Sequence, residues 1–227
     1  GQLSLAKFLF ITAADEQVLS THRELEFLTY ILERIDLSRD IHFHTNTTID
    51  TLDYSGTGLN TGSKVVFAAY GKPLRALCTK VPTAFERLAS FGNAHLVMPG
   101  VVALQANKFT TYERALDEME VVEKELLSNT SLQDLQSTVM IIICDDSHFL
   151  AQHLNNFLWA TFTRCNPSHD IYGIKSSVQH KHWGCEGPLI MDARIKPHHA
   201  PILVPDAAVE QKIAHFFEEG GALAQWK

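Results

Sequence analysis

The sequence predicts an α/β protein with a layered, largely parallel sheet and helices on both of its faces. Three observations support this fold class: short apolar runs of strand length, amphipathic segments with a helical period, and an internal match at an offset of 130 residues. The internal match further predicts that the sheet is built from two related strand-helix-strand units.

The first unit opens with a predicted strand, helix and strand. Residues 7–14 form an apolar run that is too short for a buried helix and suits a strand covered on both faces. Residues 21–35 predict an amphipathic helix, because their apolar side chains recur at spacings of three and four residues. Those side chains are Leu25, Leu28, Ile31, Leu32 and Ile35. Residues 39–44 alternate again, so the succession is the one that a parallel sheet requires.

The middle of the chain predicts a loop, two strands and a helix. Residues 46–64 are rich in Thr, Gly, Asp and Asn and predict a long loop, which a strand over residues 65–69 follows. Residues 94–104 predict one strand that Pro99-Gly100 interrupts, as is typical of a bulge or an edge position. The apolar stripe of residues 112–127 predicts a helix that faces the core.

The end of the chain predicts a helix over residues 206–217. Asp206 is its expected cap, and Gly220-Gly221 its expected stop. The tail after it is apolar and includes Trp226. A tail of this kind usually docks within the protomer or across an interface.

The internal match is strongest where a predicted helix turns into the next strand. Residues 33–41 align with residues 163–171, and four of these nine positions are identical. The same offset aligns residues 9–15 with residues 139–145 without a gap, so strand, helix and turn keep one register. We interpret this as two copies of one unit.

A weaker match pairs residues 62–68 with residues 187–193 and requires a gap in the loop. The first unit, with its long loop and connecting helix, is therefore placed at residues 1–135, and the second unit, with the C-terminal helix, at residues 136–227. Two copies are too few for a solenoid, so we expect them to form one compact layered body.

Composition excludes several classes of function. The chain has 19 Lys and Arg against 26 Asp and Glu, a formal net charge of −7, which argues against a nucleic-acid partner. No run approaches the ~18 apolar residues that a membrane span needs. The four cysteines, Cys78, Cys144, Cys165 and Cys185, lack C-x-x-C spacing and are expected to be free thiols in a reducing, cytoplasmic compartment.

Acidic residues follow the two matching strands. Asp15 and Glu16 follow the first strand, and Asp145 and Asp146 follow the second. Ligands of open α/β sheets bind at the carboxyl ends of strands, and paired acids there are able to hold a hard cation such as magnesium. The alternative, which we favour, is an acidic cap on the following helix.

Two other patterns suggest binding sites. The glycine-rich residues 56–64 would cradle a phosphate through their backbone amides, but Ser63 precedes Lys64 and a strand follows, which is not the P-loop order, so a structural turn is favoured. The paired histidines resemble zinc ligands, yet their spacings fit no standard closed site, and hydrogen-bonded loop histidines are favoured. These pairs are His42 with His44, His180 with His182, and His198 with His199, and Cys185 lies near the second. No pattern typical of a nucleophilic triad is present in the sequence.

Several of these segments resemble the carboxyl-terminal domain of UbiD-family decarboxylases. Residues 7–17 and 31–69 show the family's succession of a strand ending in acids, a helix ending in arginine and an aspartate-rich turn. Residues 48–53 are similar to the family's T-x-I-D-x-L-D stretch, and a G-S-K sequence at residues 62–64 follows in the family's order. Residues 141–173 are similar to the same region, including the paired acids and the W-A-x-x-T-R helix end, and residues 189–194 resemble the family's L-D-A-T strand.

The resemblance implies a parent enzyme that decarboxylates aromatic or α,β-unsaturated acids, as in quinone biosynthesis. It implies prenylated flavin mononucleotide with a divalent metal and potassium as cofactors of that enzyme. The family's catalytic Glu-Arg-Glu set lies in a flavin-binding region that precedes this domain, so no catalytic, cofactor or metal residue is carried over to this chain.

We therefore expect the chain to be the scaffold and oligomerisation portion of such an enzyme, without turnover of its own. Its expected partners are the remainder of the parent enzyme and further copies of itself. The alternative is a stand-alone α/β module that binds a phosphate-containing or acidic small molecule, and metal-dependent hydrolysis through the histidines ranks last. The candidate ligand or interface residues are Asp15, Asp145, Asp146, Asp50, Asp53, Gly62, Ser63, Lys64 and His182.

Overall fold

A computed structural model describes residues 6–13, 19–50, 53, 55–56, 58, 61–200, 204 and 206–226 of the chain. The strands in these ranges are β1 (Phe8–Ile11), β2 (Ile41–Thr47), β3 (Gly62–Ala68), β4 (Gly92–Met98), β5 (Val101–Gln105), β6 (Met140–Cys144), β7 (Ile171–Gly173), β8 (Ser176–Gln179), β9 (His182–Cys185) and β10 (Leu189–Asp192). The helices are α1 (Glu24–Arg34), α2 (Thr83–Glu86), α3 (Tyr112–Asn129), α4 (Leu132–Leu135), α5 (Ser147–Gln152), α6 (Leu154–Arg164), α7 (Pro167–Asp170) and α8 (Ala207–Phe217), and a 3-10 turn spans Ala224–Trp226. No helix in this part of the chain combines the length and the apolar character that crossing a bilayer requires.

The strands form mixed sheets rather than a largely parallel one. Their orders are β1-β3-β2, β4-β5-β6-β10-β7 and β8-β9. Strand pairs β1–β3, β5–β6 and β6–β10 are parallel, whereas β2–β3, β4–β5, β7–β10 and β8–β9 are antiparallel. The prediction of an α/β fold is confirmed, but the largely parallel sheet is wrong, because β3 enters between β1 and β2 and pairs antiparallel with β2.

Three strands of each predicted unit share one topology, although β4 and β5 of the first unit join the sheet of the second. In β1-β3-β2 and in β6-β10-β7, the last of the three strands lies in the centre, parallel to the first strand and antiparallel to the second. Helix α6 (Leu154–Arg164) lies 130 residues after α1 (Glu24–Arg34), which is the offset of the internal match. The duplication itself remains a prediction that this common topology supports.

Two hydrophobic clusters hold the layers together. The first joins the inner face of β1 and β3 to α1, α6 and one face of the five-stranded sheet, and includes Ile31, Phe67 and Phe157. The second lies on the other face of the five-stranded sheet and packs the α3 side chains Met119 and Val122 against its strands. Burial at this scale is the dominant source of folding free energy.

Pro99-Gly100 is a hairpin turn rather than an interruption in one strand. Gly100 has a φ of +79°, which only glycine adopts at low cost, and the chain reverses there from β4 into β5. The predicted strand over residues 94–104 therefore becomes two antiparallel strands.

Gly62, Ser63 and Lys64 lie in β3 and not in the predicted loop. Ser63 is buried like Val65 and Phe67, so the inward alternation starts with a polar residue. An apolar pattern does not detect a strand whose first inward residue is a serine, and the predicted strand therefore began too late.

Gly184 brings the β8-β9 hairpin into contact with the turn between α1 and β2. A Cβ atom at Gly184 would lie 2.5 Å from the Ser38 carbonyl oxygen, and the backbone N–H of Cys185 donates to the Leu37 carbonyl over 3.1 Å. The β8-β9 hairpin of the second unit therefore packs directly against the backbone of the first unit.

We expect Gly184→Ala to lower the free energy of unfolding by about 1–3 kcal/mol, because the added methyl group forces two backbone segments apart. The matched control is Gly92→Ala, since a Cβ atom at Gly92 meets nothing within 4 Å. Urea unfolding followed by circular dichroism measures both variants. Equal stability of the two would contradict the close contact.

Candidate functional site

Four buried charged side chains and one partly buried glutamate lie together where β6 and β10 end. Asp192 is the last residue of β10, Arg194 and Lys196 follow it, and Asp170 precedes β7, whose first residue pairs beside the end of β10. Glu118 reaches the group from α3. We call these five residues the buried ion cluster.

Every guanidinium nitrogen of Arg194 donates to an oxygen atom of the protein. Its Nε and Nη2 atoms donate to the two Asp192 carboxylate oxygens over 2.9 and 2.6 Å. Its Nη1 atom donates to Glu118 over 2.7 Å and to the Asn107 carbonyl over 3.1 Å. Arg194 and Asp192 are 1% and 0% exposed, so this bidentate pair is shielded from water and from solutes.

Lys196 and Asp170 form the second pair of the cluster. Lys196 Nζ lies 3.3 Å from Asp170 Oδ1 and donates to the carbonyls of Asp192 and Arg194 over 3.0 and 3.3 Å. The other Asp170 oxygen accepts from the Asn166 backbone N–H over 2.6 Å. Burial raises the pKa of Asp170 to about 7, and the attraction of Lys196 limits this rise.

His199 lies beside the cluster as a neutral acceptor. Its Nδ1 atom accepts from the Lys196 backbone N–H over 3.2 Å. Burial, together with the positive charge of Lys196, lowers the pKa of His199 to about 4. The ring therefore carries no charge at neutral pH.

Polar contacts tie the first unit to the second near this cluster. Ser63 Oγ donates to Asn166 Oδ1 over 2.5 Å and accepts from the Ser168 backbone N–H over 2.8 Å. Lys7 Nζ donates to the Thr163 carbonyl over 3.4 Å. Ser63, a predicted ligand or interface residue, is thus placed at the contact between the two units.

The predicted acids at the strand ends have separate structural partners. Asp145 Oδ2 accepts from the Ile195 backbone N–H over 2.8 Å and lies 3.4 Å from Arg164 Nη1. Asp146 caps α5 by accepting from the Phe149 backbone N–H over 2.9 Å, which is the cap alternative favoured above. Asp15 and Glu16 lie outside the described residues.

Asp53 and Asp50 belong to the segment that precedes β3. Asp53 Oδ1 accepts from Lys7 Nζ over 3.1 Å and from Ser55 Oγ over 2.6 Å. Burial acts to raise the pKa of Asp53, but the Ser55 hydrogen bond and the charge of Lys7 lower it overall. The Asp50 carbonyl accepts from the Asp53 backbone N–H over 3.0 Å.

Gly62 and Lys64 also serve the packing of β3. A Cβ atom at Gly62 would overlap Ile49, and Lys64 Nζ donates to the Ala6 carbonyl over 3.0 Å. These contacts favour a structural role of the glycine-rich segment over phosphate binding.

His182 lies beside His42, with ring centroids 5.4 Å apart. Its Nε2 atom is buried and has no hydrogen-bond partner among the described residues. Cys185 donates to the Gly187 carbonyl over 3.3 Å, and burial raises the pKa of its thiol to about 12. In the described ranges, no three His, Cys, Asp or Glu side chains are grouped so as to hold a metal ion.

The residues of the buried ion cluster were not among the candidate site residues predicted from the sequence. Asp192 is the last residue of an apolar strand, and Arg194 and Lys196 follow it at every second position. Residues at this spacing in an extended chain point to the same side, so the pattern indicates a group of charges on one side of the strand end. Asp170 was also one of the four identities in the internal match. Glu118 carried no such signal, because it lies 76 residues from its partner Arg194 on the polar side of a helix.

Comparison with known proteins identifies relatives of both the first segment and nearly the whole chain. Residues 1–69 match the family model described as the 3-octaprenyl-4-hydroxybenzoate carboxy-lyase C-terminal domain, UbiD_C. A 4-hydroxybenzoate decarboxylase subunit of Chlamydia pneumoniae is 33% identical over 214 residues, which cover 94% of this chain and 34% of that protein. An uncharacterized protein of Chlamydia caviae is 30% identical over 96% of this chain and 35% of its own length. The chain thus spans about a third of the curated relatives that it matches.

Solved structures of UbiD-class enzymes show more distant likeness. The closed form of the vanillic acid decarboxylase of Sedimentibacter hydroxybenzoicus has a TM-score of 0.37 and 17% identity, over 80% of this chain and 44% of that one. An evolved dimeric form of HmfF from Pelotomaculum thermopropionicum, in complex with prFMN, has a TM-score of 0.32 and 14% identity, over 64% and 34% of the two chains. TM-scores this low do not establish a common overall fold.

The resemblance to the UbiD family that the sequence motifs indicated is therefore confirmed, since residues 1–69 of this chain match the model of the family's C-terminal domain.

Proposed function

We propose that this chain is the carboxyl-terminal scaffold and oligomerisation portion of a UbiD-like aromatic acid decarboxylase. The parent enzyme would use prenylated flavin mononucleotide with a divalent metal and potassium, in a reaction of the quinone-biosynthesis type. The family match over residues 1–69 and the alignment with about a third of a 4-hydroxybenzoate decarboxylase polypeptide support this assignment.

The main support for the scaffold role is that Arg194 and Lys196 of the buried ion cluster are inaccessible to solvent and to ligands. Arg194 and Lys196 are each 1% exposed, and both bind protein carboxylates and carbonyls. A side chain that binds a flavin phosphate or transfers a proton to a substrate must be reachable by that molecule. These two cations therefore do not fit a flavin phosphate site, and instead they stabilise contacts within the protein.

A further feature, the C-terminal helix α8, supports the oligomerisation role. No residue of α8 is buried, although Val209, Ile213 and Phe216 form an apolar face at spacings of four and three residues. Exposed apolar faces of this kind mark protein-protein contacts. We expect further copies of the chain, together with the remainder of the parent enzyme, to be the partners.

We expect the purified 227-residue chain to neither retain prenylated flavin nor release carbon dioxide when it is mixed with that flavin, Mn²⁺, K⁺ and 4-hydroxybenzoate. Gel filtration with detection at flavin wavelengths measures the first property, and a coupled carbon dioxide assay measures the second. The vanillic acid decarboxylase of Sedimentibacter hydroxybenzoicus with vanillate is the positive control. Carbon dioxide release above the flavin-only background would overturn the scaffold assignment.

A further inference from the structure

Two histidine rings meet at the edge of the five-stranded sheet. β4 stands at one end of the strand order of this sheet, and it carries His95. His148 lies in the first turn of α5, which packs against β4. The centroids of the two rings are 5.5 Å apart, and the ring planes are inclined by 62°. We call these two side chains the edge histidine pair.

Hydrogen bonds determine which nitrogen of His95 carries the proton. Its Nδ1 atom lies 3.1 Å from the Asn93 carbonyl oxygen and 3.0 Å from Ser147 Oγ. Ser147 Oγ donates its own hydrogen to the Asn93 carbonyl, so both neighbours of Nδ1 can only accept. Nδ1 must therefore carry the hydrogen, which leaves Nε2 of the neutral ring with a free lone pair. In the part of the chain that the structure describes, no residue hydrogen-bonds to this Nε2 atom.

This arrangement is typical of a histidine that binds a metal ion. Metal-binding histidines almost always donate their other ring N–H to a neighbouring oxygen, which sets the tautomer and the orientation of the ring. Ser147, which helps to orient His95, is itself 0% exposed. His95 therefore presents Nε2 from a supported position.

The separation of the two rings also fits a shared metal ion. Zinc binds imidazole nitrogens at about 2.0–2.1 Å with tetrahedral geometry, so two rings on one ion have centroids about 5 Å apart. The observed 5.5 Å is close to this value. His95 is half-buried and His148 is exposed, so an ion is able to reach the pair from solvent.

The charges at this end of α5 are compatible with a cation. The first turn of a helix carries a partial positive charge, which repels a cation. α5 has only six residues, however, and the Asp146 carboxylate caps it by accepting from the Phe149 backbone N–H over 2.9 Å. This negative charge, two residues before His148, offsets the charge of the helix end.

We propose that the edge histidine pair binds a divalent transition-metal ion of the class that imidazole prefers, such as Zn²⁺. His95 Nε2 and one ring nitrogen of His148 are its protein ligands, and water completes the coordination. Because only two side chains hold the ion, the site is open, unlike a structural zinc site with four protein ligands. The bound ion links the edge strand β4 to α5.

Zinc titration of histidine variants tests the site. His95→Gln and His148→Gln each remove one ligand and should weaken Zn²⁺ binding by at least about tenfold in Kd. His153→Gln is the matched control, because His153 is also exposed and lies just after the other end of α5. His182→Gln examines the ring pair of His182 and His42 in the same way. Calorimetry on the metal-free chain measures Kd, and circular dichroism shows that each variant is folded.

Nitrogen NMR of the histidine rings gives a second readout. In the metal-free chain at slightly alkaline pH, His95 should show a protonated Nδ1 and a bare Nε2, and Nε2 should shift when Zn²⁺ is added. The reverse tautomer of His95, or a Kd for Zn²⁺ weaker than about 1 mM, would overturn the proposal. So would an affinity that His148→Gln leaves unchanged, or one that His153→Gln or His182→Gln lowers by as much. These outcomes leave the scaffold role untouched, because that role does not depend on a metal ion.

Discussion

Arg194→Met is expected to lower the free energy of unfolding by about 3–5 kcal/mol, the usual cost of removing one partner from a buried ion pair. The substitution leaves the Asp192 carboxylate, which is 0% exposed, without its bidentate partner, and it also frees Glu118. Denaturant unfolding at neutral pH, followed by tryptophan fluorescence, measures the loss.

A matched control exists on the same helix as Glu118. Arg114 also faces Glu118, at 3.8 Å, but the Arg114 side chain is 71% exposed. Arg114→Met should therefore change stability by no more than about 0.5 kcal/mol, as exposed pairs do. If the Arg194 and Arg114 variants lost equal stability, the cluster would not be a structural tie.

Lys196→Met is expected to cost stability in a pH-dependent way. The folded-state pKa of Asp170 is about 7 against an ordinary value of 3.8, so the folded chain holds an extra proton between these values. Stability therefore already falls as the pH rises through this window. Without Lys196 the pKa of Asp170 rises further, and the fall continues to higher pH.

The expected loss for Lys196→Met is about 1–2 kcal/mol near pH 5.5, where Asp170 is protonated, and about 3–5 kcal/mol near pH 8.5, where an unpaired buried carboxylate must ionise. Unfolding free energies across this range measure the difference. The double variant Lys196→Met with Asp170→Asn removes both charges and keeps an oxygen to accept from the Asn166 N–H, so it should recover most of the loss at high pH. A loss independent of pH would contradict the assignment of Asp170 as the titrating partner.

The regular helices were predictable because their signals are local. The periodic apolar residues of α1 and α3 gave their positions within a few residues, and Asp206 caps α8 as predicted by accepting from the Ala208 and Val209 N–H groups. The strand order was not predictable in the same way. Whether β2 pairs with β1 or with β3 depends on contacts between distant segments, and alternation within one strand carries no information about its neighbour.

The candidate site residues likewise divide into those with partners nearby in the sequence and those with distant partners. Asp146 was predictable as a cap because its partner Phe149 lies three residues away. The role of Ser63 was not, because its partner Asn166 is 103 residues away and belongs to the other unit. Buried ion pairs such as Arg194 with Glu118 are products of tertiary packing, and a sequence shows only that charged residues interrupt an apolar stretch.

The central position of β3 affects the order in which the strands of its sheet can pair during folding. β3 is the central strand of its sheet but the last of the three to be synthesised, and β10 has the same relation to β6 and β7. Within these three-strand groups, the outer strands gain their hydrogen-bonded neighbour only when the last strand inserts between them. Folding of each group therefore waits on a non-local pairing, which is intrinsically slow and leaves strand edges exposed to aggregation on the ribosome.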